Sequence, residues 1–311
     1  MRNTAFVSLL FGAGVTGLNL TWNIDSSNFL DNFDFFTDSD PTGGFVKYVD
    51  QGTASSGGLF STNNNQIYLG ADHTNTVSVS GPGRNSVRVT SKNAFNNGIL
   101  IADFAHLPTA ACGIWPAYWT INNDGNPYGE IDIIESYDDT GSSYVSLHTS
   151  NACTLTGTNF TGTNVRTDCS LSGNSGCGVE GTTSQFGAGF NSAGGGLYVL
   201  YLDDSLKVWV FPKNNVPSDI TNGSPDPSGW GVPLFDFESN NGCDVGTNFI
   251  NQSIIFNLDF CGSGGAGGQE WSQWTDCSTS TGSSTCEAYV ATNPGAYVDT
   301  YFLINSIRLY Q

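Results

Sequence analysis

The sequence predicts an all-β protein of two packed antiparallel sheets, and three observations predict it. Gly supplies 39 of the 311 residues, with Ser, Thr and Asn crowded around it, so turn chemistry cuts the chain into short segments. No stretch carries an apolar i, i+3, i+4, i+7 stripe across three turns, and the abundant small polar residues disfavour helix interiors. Short segments that alternate or run continuously apolar lie instead between Gly, Asn and Pro punctuation.

In chain order, Phe45–Val49 alternates around Lys47, and Gln66–Leu69 runs from an Asn cluster to Gly70. Ser86–Thr90 alternates through Val87 and Val89, while Ile99–Phe104 is nearly all apolar. Ala117–Ile121, Glu130–Glu135 and Tyr144–His148 mix aromatic and branched residues with polar ones. Leu197–Leu202 and Leu206–Phe211 flank Asp203-Asp204, and Ile254–Phe260 and Phe302–Tyr310 complete the set. With no crossover helices between them, these strands are expected to pair antiparallel in two layers. The Gly/Ser/Thr-rich stretches Asn151–Asn191 and Ser263–Thr285 read as surface loops stapled by disulfides.

Met1-Arg2 followed by the apolar run Ala5–Leu18 reads as a secretory leader over residues 1–20, leaving 21–311 as one domain. Nothing later approaches bilayer-spanning length. Eight cysteines (Cys112, Cys153, Cys169, Cys177, Cys243, Cys261, Cys277 and Cys286) form an even set that fits disulfides in an exported chain. Cys-x-x-Cys is absent and His73, His106 and His148 are scattered, so neither a zinc site nor another cofactor is expected. Asn-x-Ser/Thr sequons stand at Asn159, Asn222 and Asn251, with a fourth at Asn19 in the leader. The net charge of −19 repels phosphate backbones and anionic lipids, which excludes nucleic acid and membrane surfaces as partners. A neutral polysaccharide is not repelled. An extracellular monomer is expected.

One segment carries chemistry: Gly129-Glu130-Ile131-Asp132-Ile133-Ile134-Glu135. Only six glutamates occur in the chain, and two lie here flanking an aspartate. Chance supplies Glu-x-Asp-x-x-Glu in about one such chain in a hundred. Glu130 and Asp132 share a face of a strand, whereas Glu135, five residues on, falls on the opposite face of a regular strand. One extra residue in a β-bulge at Ile133 or Ile134 restores all three to one side. Three acids on one face repel one another, and glycosidic cleavage is a reason to bear that cost. It needs one carboxylate at the sugar carbon and one protonated carboxyl at the leaving oxygen. Mutual repulsion separates their pKa values accordingly. A calcium site is the alternative reading of clustered carboxylates, but the apolar filling lacks the Asp/Asn/Gly loop pattern.

This motif, preceded by Gly113-Ile114-Trp115-Pro116-Ala117-Tyr118-Trp119, resembles glycoside hydrolase family 16, nearest its fungal laminarinase-like endo-1,3(4)-β-glucanases. Tyr48-Val49-Asp50-Gln51, Gly81–Arg88, Leu147-His148-Thr149, Val208–Pro212 and Ile307–Gln311 extend the resemblance along the chain. It implies a concanavalin A-like jelly-roll sandwich with a glycan cleft across the concave sheet and a retaining mechanism. Glu130 is then the nucleophile, Asp132 its assistant and Glu135 the acid/base, with Arg88, Trp115, Trp119 and His148 as further cleft residues. The extra residue before the last Glu resembles the bulged β-glucanase version of the motif; the family's cell-wall transglycosylases typically lack it.

Three positions depart from the family pattern: Asn126 and Gly264 stand where tryptophans are usual, and Lys47 where Asn is usual. Trp271 or Trp274 folding back would replace the lost ring. The implied activity is endo-hydrolysis of β-1,3- or mixed β-1,3/1,4-glucan. A carbohydrate-binding protein with little turnover and a cell-wall transglycosylase remain the alternatives on the same fold.

Overall fold

The computed structural model describes residues 18–172, 176–240 and 243–311, so most of the expected leader lies outside the described residues. Leu20, the last residue of that leader, already pairs with Tyr310, and Asn19 exchanges backbone hydrogen bonds with Gln311.

Two eight-stranded antiparallel sheets pack face to face as a jelly roll. The convex sheet runs in the order Phe235–Glu238, Ser205–Pro212, Gly196–Leu202, Gly98–His106, Tyr301–Tyr310, Ile67–Gly70, Phe60–Ser61, with Leu20–Ile24 also on Tyr301–Tyr310. The concave sheet runs Thr163–Arg166, Cys177–Glu180, Tyr144–Thr149, Gly129–Glu135, Ile114–Asn122, Gln252–Phe260, Arg88–Phe95, Phe33–Phe35. Alternation sends one set of side chains inward to a continuous aromatic core. Tyr118 stacks on Phe256 at 4.5 Å, and both meet Phe104 of the opposite sheet edge-on, at 5.7 and 6.3 Å.

All eleven expected strands are present, with three differences. Ser86–Thr90 is two strands: Arg84–Ser86 pairs with Val46–Tyr48, and Arg88–Phe95 starts afresh against Gln252–Phe260. Val87 between them is fully buried, so the apolar pattern is unbroken and hides the change of partner. The pair Val46–Tyr48 and Arg84–Ser86 is also parallel, against the expectation of antiparallel pairing throughout. It lies outside both large sheets, where no hairpin forces direction. The stretch Asn151–Asn191 contributes the last two strands at one end of the concave sheet, not loop alone. Thr163–Arg166 is exposed at every position, so no alternation marks it.

Four disulfides join Cys112–Cys277, Cys153–Cys243, Cys169–Cys177 and Cys261–Cys286. No helix among the described residues is long and apolar enough to cross a membrane.

Candidate active site

Strand register builds the site. Glu130 lies opposite Ile121, Asp132 opposite Trp119, and Glu135 opposite Ala117, while Ile134 takes Tyr118. Ile133 is therefore the extra residue, and the bulge sits where the spacing of the acids requires it. Ile131, Ile133 and Ile134 are buried in the core and hold the acids on the concave side. The first residue of the strand, Gly129, has no room for a side chain, since a Cβ there would stand 1.9 Å from the Asn248 carbonyl oxygen.

The same register carries His148 opposite Glu130 and Ser146 opposite Asp132. On the other flank Asp259 lies opposite Trp115, Asn257 opposite Ala117, and Arg88 opposite Asn257. His148 Nε2 is 3.1 Å from Asp132 Oδ2 and 3.9 Å from Glu130 Oε1. The Tyr128 hydroxyl donates to Glu130 Oε2, and the Trp115 indole N–H donates to Glu135 Oε1 at 2.8 Å. Trp119 donates to Asn257 Oδ1 at 2.7 Å, and the Arg88 guanidinium lies over its ring at 5.2 Å. All seven expected site residues thus share one surface.

Burial raises all three acids. Glu130 is pushed up to about 8 by burial and then by Asp132, with His148 and the Tyr128 hydroxyl pulling the other way. Asp132 is pushed up to about 7 by burial, and Glu135 to about 7 by burial and then by Asp132. Three carboxyls in this setting share protons near neutral pH, as acid/base work requires. The highest value falls on Glu130, the expected nucleophile, not on the expected acid Glu135.

Two cavities meet at these acids. One, of about 370 Å³, is lined by Arg88, Trp119, Tyr128, Asn257 and Asp259; the other, of about 520 Å³, by Tyr137, Tyr144, His148, Arg166 and Trp274. Trp115, Glu130 and Glu135 line both. The acids therefore stand midway along a groove.

Comparison with known proteins decides the family. Residues 33–310 match the XgeA-like, catalytic GH16 domain. The chain belongs to glycoside hydrolase family 16. Endo-1,3(4)-beta-glucanase xgeA of Emericella nidulans is 37% identical over 312 residues, covering 98% of this chain and 49% of that protein. The endo-1,3(4)-beta-glucanase of Arthroderma benhamiae is 38% identical over 324 residues, covering 100% and 69%. The chain spans about half the length of most curated relatives it matches. Laminarinase 16A of Phanerochaete chrysosporium, solved with 6-O-glucosyl-laminaritriose in donor and acceptor sites, superposes with a TM-score of 0.85. It is 37% identical, covering 95% of this chain and all of that one. An elongating family 16 β-1,3-glucosyltransferase also superposes at 0.85, with 37% identity and coverage of 94% and 99%.

Within this family 16 frame the replaced tryptophans have different fates. Trp271 is fully buried against Tyr289 and donates to the Ser283 carbonyl, so it belongs to the core. Trp274 is 55% exposed and lines the same cavity as Gly264, so it supplies a ring near the lost one. Asn126 is exposed and lines neither cavity, and Lys47 is exposed on the separate parallel pair. Trp115 is not a free sugar platform. The Gly262–Gly265 turn packs on its ring so closely that a Cβ at Gly265 would come within 2.1 Å. Its N–H instead orients Glu135.

Sequence reasoning missed Tyr128, Asn257 and Asp259, and it left the replacement ring open between Trp271 and Trp274, of which Trp274 takes the place. Tyr128 was within reach, because it lies two residues before Glu130 and shares its face. Trp274 closes the short π-helical turn Glu270–Trp274, and no periodicity points to it.

Among the described residues, two clusters have metal-ligand spacing. In one, Cys112 and Cys277 are consumed by their disulfide. The other is Glu130, Asp132 and His148, with ligand atoms within 4.8 Å. Its imidazole sets it apart from the all-oxygen shell that calcium takes.

Proposed function

We propose that this domain hydrolyses β-1,3- or mixed-linkage β-1,3/1,4-glucan within the chain, by double displacement with retention. The observation that carries the reading is the bulge at Ile133, which sets Glu130, Asp132 and Glu135 on one face midway along an open groove. A groove continuing on both sides of the acids suits internal cleavage, since sugar units then bind on either side of the reacting bond.

Glu130 attacks the anomeric carbon and Glu135, oriented by Trp115, gives its proton to the departing oxygen and later takes one from water. Tyr128 and His148 favour the ionised Glu130, and Asp132, 3.1 Å from His148 Nε2, assists Glu130 on the same face. Trp119, Trp274, Tyr137 and Tyr144 offer rings to pyranose faces, each worth ~0.5–1.5 kcal/mol beyond area burial by analogy with aromatic pairs. The domain acts as a secreted, disulfide-stapled monomer, its leader removed.

Reducing-end release from laminarin and lichenan, by the native chain and by Glu130→Ala, tests this. Proton NMR of the first product must show the β anomer. An α product first, or native-level release by Glu130→Ala, rules the reading out.

A further inference from the structure

The sandwich has a second pocket, on the convex sheet, remote from the acids. It has a volume of about 530 Å³, and its lining includes Tyr201, Lys207, Trp209, Asp236 and Glu238 from three adjacent strands. Trp209 forms part of the floor, only 4% exposed, its N–H donated to the Gly231 carbonyl. Tyr201 leaves part of its ring in solvent, with its hydroxyl on Asp204. Lys207 Nζ sits 2.6 Å from Glu238 and 3.3 Å from Asp236 Oδ1. Asp236 is 4% exposed, and among the described residues its Oδ1 receives no hydrogen bond. A ring beside a row of carboxylates and an ammonium is saccharide-binding chemistry: an apolar face for the pyranose and charged partners for its hydroxyls.

The rim supplies a sugar source. Asn159 lines this pocket, is exposed, and opens the sequon Asn159-Phe160-Thr161. The segment is clamped in place. Phe160 packs on Phe235 at 6.4 Å, the Thr161 N–H and hydroxyl both donate to the Pro233 carbonyl, and the Gly162 N–H donates to Leu234. Among the described residues the Asn159 amide has no hydrogen-bond partner, so its nitrogen is uncommitted there. By contrast, the Asn251 amide is engaged with Asp124 Oδ2 at 2.8 Å, and Asn222 lies outside the pocket lining.

We propose that Asn159 carries an N-linked glycan and that the convex pocket seats its first N-acetylglucosamine. In the secretory pathway the amide nitrogen forms a bond to the anomeric carbon of a lipid-diphosphate-linked oligosaccharide. The amide loses one proton and the lipid diphosphate leaves. The seated sugar stacks on Tyr201 and hydrogen-bonds to the Lys207, Asp236 and Glu238 row. It ties the 159–162 segment to the convex sheet.

The test uses the chain secreted from yeast. Glycopeptide mass spectrometry is expected to find Asn159 occupied. Peptide-N-glycosidase should then release that glycan about tenfold slower from folded than from unfolded protein, the factor a ~1.4 kcal/mol seat supplies. Tyr201→Ala should remove most of that difference, and Asn159→Gln should lower Tm, with glucan turnover unchanged in both. An unoccupied Asn159, equal release from folded and unfolded chains, or a lag unaltered by Tyr201→Ala each overturns the proposal. Unslowed release together with laminarihexaose binding that Tyr201→Ala abolishes would give the pocket to a free glucan instead.

Discussion

The concave and convex faces of the sandwich come from the same alternation of strand residues, yet they bury different things. Across the convex sheet, Ile99, Ile101, Leu197, Val199, Trp209 and Phe211 form a second apolar cluster, covered by Ile220 and Trp230 from the segment after Pro212. Trp230 meets Trp209 edge-on at 5.3 Å and donates its N–H to Asp219. Across the concave sheet the equivalent positions hold Glu130, Asp132, Glu135, His148 and Arg88, largely desolvated. One face lowers the free energy of folding; the other raises it and keeps charges poised. The contrast supports the proposed site without reference to any relative, because burial of repelling acids is a cost that asks for a reason beyond folding.

The largest expected effect is that of Glu130→Ala, which should abolish turnover on glucan and activated aryl glycosides alike while the fold persists. Circular dichroism with a reducing-end assay checks it, and unchanged turnover would erase the distinction between the faces. Glu135→Gln should cost glucan hydrolysis ~10²–10⁴-fold. Aryl glycosides with good leaving groups should suffer far less, since they need little protonation. Equal loss on both would remove Glu135 from its role as proton donor.

On the convex face, Trp230→Ala should destabilise by about 3 kcal/mol, read by urea unfolding, with kcat/KM of the folded protein unaltered. A kinetic defect in that variant would break the separation of the two faces.

Asp132→Asn sharpens the contrast through pH. Asp132 holds its proton to about 7 when folded, against 3.8 for an ordinary aspartate, because of burial. Protonation thus favours the folded state, and its contribution is lost as pH rises through that window. The Asn variant should gain several degrees in Tm above about pH 7 and nothing at pH 3. A gain confined to acid pH would reverse the sign and sink the argument.

The smallest effects concern the rebuilt rings. Trp274→Ala should raise KM for laminarin severalfold with little change in kcat, since stacking acts on ground and transition states alike. Asn126→Trp, outside both cavities, should leave both constants unaltered. A KM untouched by Trp274→Ala, or lowered severalfold by Asn126→Trp, would move the lost ring's place from Trp274 to Asn126. Trp271→Ala, in the core, should cost stability instead.

Much of this was legible in the sequence because strands write their faces in steps of two. The acids, their bulge and the flanking Trp119 and His148 follow from spacing and motif. Phe235–Glu238 was missed because Phe-Asp-Phe-Glu is short and borders irregular chain. Thr163–Arg166 was missed because an edge strand with only Val165 apolar shows no buried side. The switch of partner at Val87 left no mark, since a fully buried residue suits either pairing. Trp274 was placed by a turn whose geometry depends on Asp138. That carboxyl takes the Gly113 N–H at 2.7 Å and the Thr275 hydroxyl at 3.1 Å, a contact between residues far apart in sequence.

Two adjacent isoleucines at the bulge make a deletion degenerate, since loss of Ile133 or of Ile134 yields the same polypeptide. The shortened segment, Glu-Ile-Asp-Ile-Glu, alternates without interruption, so every acid keeps its side and every isoleucine stays in the core. Parity is conserved while length is not. Glu130 and Glu135 already face residues four apart on each neighbouring strand, Ile121 and Ala117 on one side, His148 and Tyr144 on the other, so the deletion removes the local kink and leaves the ladder spacing of the two carboxyls in place. A lineage can lose or regain the bulge without passing through a misfolded chain.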